Sequence, residues 1–256
     1  MTAQLRRKAP ARILWSALKK TRTGRRSNLK TDTTNNCRAV LWDMDGTIVN
    51  SLPFHKQAWQ ITFAKRGKDF TDADFQWANG RRNEEIIPHF LKRTMPLTEV
   101  NAIADEKEAT FRHLVKGSIK ALPGVIELIK SLAAAEYRLA VVSSTPEANI
   151  ELVTKTLGIK KYFSLLVNGD DVKEGKPSPQ CFLLGAEKLG IAAQNCVVME
   201  DAVVGVRAAK SAGMHCIAVA NTCPRTDIAE ADIVVDSLAE INVKTIEALL
   251  ASPPKK

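Results

Sequence analysis

Residues 39–47, Ala-Val-Leu-Trp-Asp-Met-Asp-Gly-Thr, carry an apolar segment straight into two carboxylates one residue apart, followed by a glycine and a hydroxyl. Side chains alternate faces in an extended chain. Asp43 and Asp45 are therefore predicted to project to one side at the carboxyl end of a strand, where Gly46 lets the chain turn. Two anions held that close repel each other, and burying them is costly unless a cation lies between them. The pattern points to a hard metal with oxygen ligands, most simply Mg2+. A strand ending in a solvated acidic turn is the plain alternative, because Asp is common in such turns.

Three further polar points each follow or end an apolar segment. Residues 138–145, Arg-Leu-Ala-Val-Val-Ser-Ser-Thr, read as a short buried strand ending in the hydroxyls of Ser143, Ser144 and Thr145, with Pro146 placed to open a helix. Hydroxyls and free N–H groups at a helix start suit a phosphate oxygen. In residues 174–179, Glu-Gly-Lys-Pro-Ser-Pro, Lys176 stands between a glycine and a proline ahead of a helical run over 180–189. Residues 196–201, Cys-Val-Val-Met-Glu-Asp, repeat the first pattern: an apolar strand empties into Glu200 and Asp201, and Gly205 and an Ala-rich helix over 206–212 follow. Predicted strands at 139–143, 164–168, 197–200, 216–220 and 233–235 alternate with helical runs, which makes the fold class α/β, a doubly wound parallel sheet. In such a sheet all four polar points meet at one edge, where open α/β folds hold their ligands.

The order and spacing of Asp43-x-Asp45-Gly-Thr47, Ser143, Lys176 and Glu200-Asp201 resemble the haloacid dehalogenase superfamily of phosphoryl-transfer enzymes. Within it the chain is similar to the group that contains β-phosphoglucomutase and small sugar-phosphate phosphatases. The resemblance covers about residues 38–240 and implies a Rossmann-like core with an inserted helical cap. By matching position it implies Asp43 as nucleophile, Asp45 as general acid and base, and Ser143 with Lys176 as a phosphate cradle, flanked by Thr47 and Ser144. It implies Mg2+ held by Asp201, the Asp43 carboxylate and the Asp45 backbone carbonyl, with Glu200 in or just outside that set.

Elementary chemistry gives the same roles. A carboxylate that attacks a phosphomonoester forms an aspartyl-phosphate and divides one difficult displacement into two easier ones. Repulsion between Asp43 and a dianionic substrate is relieved by one Mg2+ and the Lys176 ammonium, which also polarise the phosphoryl oxygens. The leaving alkoxide needs a proton and the later attacking water must lose one, so one residue alternating between acid and base suffices, and Asp45 is within reach. An ordinary Asp titrates near 3.9, so this role predicts a raised value for Asp45, through desolvation and nearby negative charge.

Desolvation requires a lid, and residues 52–118 read as helices with apolar positions such as Trp59, Phe63, Ile86, Phe90, Leu91, Val100, Ile103, Phe111 and Leu114 at helical spacing. Breakers at Asn50-Ser51-Leu52-Pro53 and at Lys116-Gly117-Ser118, followed by Leu122-Pro123-Gly124, mark its hinges. The predicted organisation is a basic N-terminal extension over 1–36, expected to be disordered, a core over 37–51 and 119–256, and a cap over 52–118. The resemblance places His55, Trp59 and Gly80 near the substrate. A lone His on an amphipathic helix is also an ordinary core or surface residue. The loop Asn79-Gly80-Arg81-Arg82-Asn83 departs from the mutase pattern, with Asn83 standing where an arginine holds the second phosphate, although Arg81, a candidate substrate- or phosphate-binding residue, and Arg82 lie nearby. Pro146 and Glu147 replace a lysine and an asparagine that help bind phosphate in the mutase. Loss of those groups favours a Mg2+-dependent phosphatase of a small phosphomonoester, a sugar phosphate, over the alternative, a β-phosphoglucomutase or related hexose-phosphate mutase. A catalytically silent binding protein is the third reading.

The formal charge of +9 is confined to one end. Residues 1–36 hold ten Lys or Arg and one acid, which leaves 27 of the 37 bases and 27 of the 28 acids for the rest. The core is thus neutral, and no nucleic-acid partner is expected. The acid-free stretch 5–20 reads as a disordered tail, an upstream misassigned start or an organelle-targeting helix; otherwise the expected location is cytoplasmic. Five cysteines without a Cys-x-x-Cys pair suggest reduced thiols, and no apolar run is long enough to span a membrane. Residues 169–171, Gly-Asp-Asp, form a third acidic turn, read as solvated or as lying near the metal. The sequence leaves the oligomeric state open, a monomer being compatible.

Overall fold

The strands β1 (Ala39–Trp42), β2 (Arg138–Val142), β3 (Leu165–Val167), β4 (Cys196–Glu200), β5 (His215–Val219) and β6 (Ile233–Val235) form one sheet in the order β3-β2-β1-β4-β5-β6, every pairing parallel. This computed structural model describes residues 37–79 and 81–254. The basic extension over 1–36 and Gly80 lie outside the described residues. The predicted strands appear within one or two residues of their expected bounds.

Alternation along the strands divides the core. Val40, Trp42, Leu139, Val141, Val197, Met199 and Ile217 face one apolar cluster, while Ala39, Leu41, Ala140, Val142, Val198, Cys216 and Ala218 face the other. A parallel sheet is covered on both faces, so its strands read as unbroken apolar runs. Each fully buried Val, Leu, Ile, Phe or Met contributes about 1.5–3 kcal/mol. The order in which strands are added reverses at β1, which pairs in parallel with β2 on one side (Trp42 opposite Val141) and β4 on the other (Trp42 opposite Met199). That switch point opens a crevice at the carboxyl edge.

Helices α1 (Leu52–Ala64), α2 (Asp72–Ala78), α3 (Asn83–Leu91) and α4 (Leu97–Val115) lie between β1 and β2, ahead of α5 (Val125–Ala134). Trp59, Phe63, Phe70, Ile86, Ile87, Val100 and Ile103 form a separate apolar cluster among them. Phe111 and Leu114 instead join the cluster on the sheet. With 19 residues α4 is about 28 Å long, enough to reach from one cluster to the other. The chain leaves and re-enters the sheet body side by side: Val49 bridges to Ala121, and Leu122 N–H donates to the Ile48 carbonyl at 2.9 Å.

Beyond β2 follow α6 (Glu147–Thr156), α7 (Gln180–Leu189), α8 (Val203–Ser211) and α9 (Val243–Leu250). Pro146 does precede α6 directly, and α7 matches its predicted span. The Ala-rich helix starts three residues earlier than expected, so Gly205 lies inside its first turn rather than ahead of it. The reason is packing, because a Cβ on Gly205 would overlap the Glu200 carboxylate. Among the described residues no helix is long and apolar enough to cross a membrane.

Candidate active site

Asp43 is the first residue past β1, and its N–H donates to the Met199 carbonyl at 3.0 Å, carrying the ladder one step to the sheet edge. There Lys176 Nζ donates to Asp43 Oδ1 at 2.6 Å and to Glu200 Oε1 at 2.5 Å. The other Glu200 oxygen accepts the N–H groups of Asp201 at 2.8 Å and Ala202 at 2.9 Å. Burial raises the Asp43 carboxyl well above its ordinary value; Lys176 opposes the rise, and Glu200, Asp201 and Asp45 add to it. Burial alone would lower the Lys176 ammonium, but Asp43 and Glu200 outweigh it and hold the ammonium protonated.

Asp201, fully buried beside Glu200, accepts the Thr47 hydroxyl on Oδ1 at 2.9 Å and the Thr222 hydroxyl on Oδ2 at 2.5 Å. Burial and the Glu200 charge push its carboxyl up to about 7 despite those two donors and Lys176. Gly46 adopts φ +95°, and a Cβ there would overlap Asp201 Oδ2. Asn221 Nδ2 fixes the turn by donating to the Gly46 carbonyl at 3.0 Å.

Asp45 faces the opposite wall. Its Oδ1 accepts the Ser51 hydroxyl at 2.5 Å and lies 3.2 Å from His55 Nε2, and its Oδ2 is 3.5 Å from Ser143 Oγ. His55 Nδ1 is 2.8 Å from Lys107 Nζ. An ammonium only donates, so Nδ1 is the acceptor and Nε2–H donates to Asp45. The ring stacks on Phe111 with centroids 3.8 Å apart. The raised value predicted for Asp45 is reversed here. Burial, the strongest single influence, does push it up, but His55, Ser51 and the Lys107 ammonium together bring it below the ordinary value. The sequence did not reveal that three donors converge on this one carboxylate.

Lys107 and Glu108 are almost fully buried, with side chains 4% and 6% exposed, and their charged ends are 2.9 Å apart. Lys107 Nζ also sits over the Trp59 ring, 5.0 Å from its centroid. Glu108 Oε1 accepts from Asn83 Nδ2 at 3.1 Å and Oε2 from Asn149 Nδ2 at 2.7 Å. Burial works against the Glu108 charge, but Lys107, His55 and the hydrogen bonds from Lys107 and Asn83 hold its carboxyl down at about 2.

Arg81 and Arg82 are both held by neighbouring protein groups. Arg81 stacks on Trp77, 4.5 Å to the ring centroid, and its Nε donates to the Trp77 carbonyl at 2.9 Å. Arg82 crosses to the loop after β3, donating to the carbonyls of Lys173 at 3.0 Å and Gly169 at 3.2 Å.

These groups line one cavity of about 160 Å³, whose wall includes Asp43, Asp45, His55, Trp59, Arg81, Arg82, Lys107, Glu108, Ser143, Ser144, Lys176, Glu200 and Asp201. Of the expected site residues, Thr47 stands behind Asp201 rather than on the wall. Gly169 and Asp170 of the third acidic turn reach the rim, whereas Asp171 caps Asn168. Lys107, Glu108, Asn149, Asn221 and Thr222 were missed. An adjacent Lys107-Glu108 pair on a helix carries no signal of burial in the sequence, because such pairs are ordinarily solvated.

Asp43, Glu200 and Asp201 are three buried carboxylates faced by the single ammonium of Lys176. The residual negative charge and all-oxygen donors fit a hard divalent cation. Among the described residues no three His, Cys, Asp or Glu side chains form a ready-made cage. Glu200 is engaged on both oxygens, by Lys176 on one and by the Asp201 and Ala202 N–H groups on the other.

The haloacid dehalogenase-like hydrolase family profile matches residues 40–219. The chain belongs to this family. Its relatives include a hexitol phosphatase of Escherichia coli, 34% identical over 81% of this chain and 94% of that one. A fructose-1-phosphate phosphatase of the same organism is 32% identical over 70% of this chain and 95% of its own length. Among solved structures, β-phosphoglucomutase from Clostridium difficile superposes with a TM-score of 0.75 at 25% identity, covering 84% of this chain and 97% of the other. The parallel sheet is thus that of a haloacid dehalogenase-like hydrolase.

Proposed function

We propose that the protein is a Mg2+-dependent phosphatase that hydrolyses a small sugar phosphate through an aspartyl-phosphate on Asp43. The observation that carries the reading is the pairing of Asp43 with Lys176 at the cavity floor, with Asp45 and His55 on the facing wall. The names of the sugar-phosphate phosphatase relatives support the substrate class.

Asp43 attacks phosphorus in line with the ester oxygen, and the P–O ester bond breaks as the new P–O bond to the carboxylate forms. Asp45 gives the leaving alkoxide its proton. Asp45 is held ionised in the free site by His55 and Ser51; the arriving phosphate dianion raises its proton affinity by like-charge proximity, so that it takes up from solvent, as substrate binds, the proton it then delivers. A water then attacks phosphorus and Asp45 takes its proton, releasing phosphate and restoring Asp43. Ser143, Ser144 and the Lys176 ammonium hold phosphoryl oxygens. The Asp43 and Asp201 carboxylates and the Asp45 backbone carbonyl would hold Mg2+, which supplies charge neutralisation at the transferring group. Residues 52–118 act as a cap that excludes bulk water.

Hydrolysis is favoured over the mutase reaction because the described polar side chains at the start of α3 and just before it already hold protein partners. Asn83 is bonded to Glu108, Arg82 to two carbonyls and Arg81 to Trp77. The test is phosphate release from a panel of sugar phosphates with Mg2+, run with Asp43→Asn as control. β-Glucose 1-phosphate with a bisphosphate primer is assayed in parallel. Release that vanishes in the variant supports the reading; isomerisation with little release overturns it.

A further inference from the structure

Asn149, wholly buried at the first turn of α6, is held by α4 on both ends of its amide. Its Nδ2 donates to Glu108 Oε2 at 2.7 Å and to Thr145 Oγ1 at 2.8 Å, while its Oδ1 accepts from Arg112 at 2.9 Å. The amide orientation is therefore fixed, since a flip would set donor against donor at Arg112 and acceptor against acceptor at Glu108. Glu108 in turn gathers Asn83 of α3 and Lys107 of α4. One buried anion thus binds two helices of the 52–118 segment to the helix that follows the hydroxyl turn Ser143-Ser144-Thr145. Glu108 and Thr145 both line the cavity.

We propose that Glu108 and Asn149 form a latch between α4 and α6 that makes the closed arrangement the resting state of the free protein. The inference rests on the phosphatase reading only where turnover is measured. Glu108 is a positioning residue and touches no reacting atom. Its bonds are charge-assisted and shielded from water, which makes them stronger than the same bonds on a surface. A binding-competent form populated only in part weakens apparent affinity in proportion. Loosening the latch therefore raises KM, because part of the substrate's binding energy is spent in closing the site again.

The polarity of the pair supplies a reciprocal test. In Glu108→Gln the amide keeps one acceptor for Lys107 and Asn83 but turns a donor toward the Asn149 donor. Asn149→Asp alone sets two carboxylates against each other. With both substitutions combined, the new amide on α4 donates to the new carboxylate on α6. That carboxylate still accepts from Arg112, and now accepts from the Thr145 hydroxyl once that rotor turns from acceptor to donor, so the bridge is remade with reversed polarity. The experiment compares backbone hydrogen–deuterium exchange over 79–86 and 143–152 in the free wild-type protein, both single variants and the double variant, alongside KM and kcat for phosphate release. The expected result is exchange at least fivefold faster and KM about tenfold higher in each single variant, with both returning toward wild type in the double. A single variant that does not fold, paired with a double that folds and exchanges like wild type, gives the same answer. Wild-type exchange in the singles, or a double no better than the worse single, overturns the latch. A fall confined to kcat overturns it too. If no sugar phosphate is hydrolysed, the phosphatase reading fails while the exchange comparison still decides the latch.

Discussion

Lys176 Nζ lies 2.6 Å from Asp43 Oδ1, joining two residues separated by 133 positions in the chain at the base of the cavity. The same ammonium meets Glu200 at 2.5 Å and so faces, with Asp201 alongside, three buried carboxylates. Replacing Lys176 with Met leaves those charges unbalanced. Loss of one partner of a buried pair costs about 3–5 kcal/mol. Lost stabilisation of the transferring phosphoryl group lowers turnover by roughly 100- to 1,000-fold. Urea melts and phosphate-release rates of K176M check both figures.

Asp201 gives a pH dependence to the metal-free protein. Its carboxyl is pushed from the ordinary 3.8 up to about 7, so between those values the native state holds a proton that the unfolded chain has released. Stability then falls as pH rises through that window. At the proposed metal site a divalent cation would take the place of the proton and remove the penalty. Thermal melts at pH 5.5 and pH 8 are expected to show Mg2+ raising the midpoint more at pH 8, with EDTA reversing the gain.

Glu108 has the opposite sign. Its carboxyl is held at about 2 against an ordinary 4.5, so between those values the unfolded chain binds the extra proton and stability rises with pH. The contribution is complete above about pH 4.5 and is lost as pH falls through about 2. It amounts to about 3 kcal/mol at most, since one pKa unit is ~1.4 kcal/mol. Urea melts from pH 5.5 to pH 3 are expected to show a flatter acid limb for E108Q than for the wild type.

Arg82 ties the loop that leads to Lys176 to the segment between α2 and α3, through the carbonyls of Gly169 and Lys173. Hydrogen bonds from a charged donor contribute about 1.5–3 kcal/mol in favourable settings, and partial exposure puts this pair at the lower end. Arg82→Ala is expected to speed amide exchange over 169–176 with little change in overall melting temperature. Arg82→Lys, limited to a compact ammonium, recovers only part of the protection.

Local patterns carried much of this protein. An apolar run ending in Asp43-x-Asp45-Gly46 has to leave a strand at that point, because Gly46 takes a φ of +95° and a side chain there would overlap Asp201. Parallel strands covered on both faces announce themselves as unbroken Val, Leu and Ile runs, which is why the sheet and the meeting of Ser143, Lys176 and Asp201 at one edge were readable. The start of α8 was not, since it depends on Gly205 packing against a carboxylate from another element. The sign of the Asp45 shift was likewise hidden. It depends on His55, Ser51 and Lys107 arriving from positions 6 to 62 residues away, and a carboxyl's proton affinity is set by what surrounds it in space. The chain alone thus determined strands, turns and the kinds of groups at the edge, all properties of neighbours in sequence. Only the tertiary structure decided that Lys107 and Glu108 are buried and that Asn149 bridges α4 to α6, because burial and hydrogen-bond partners belong to packing between helices far apart in the chain.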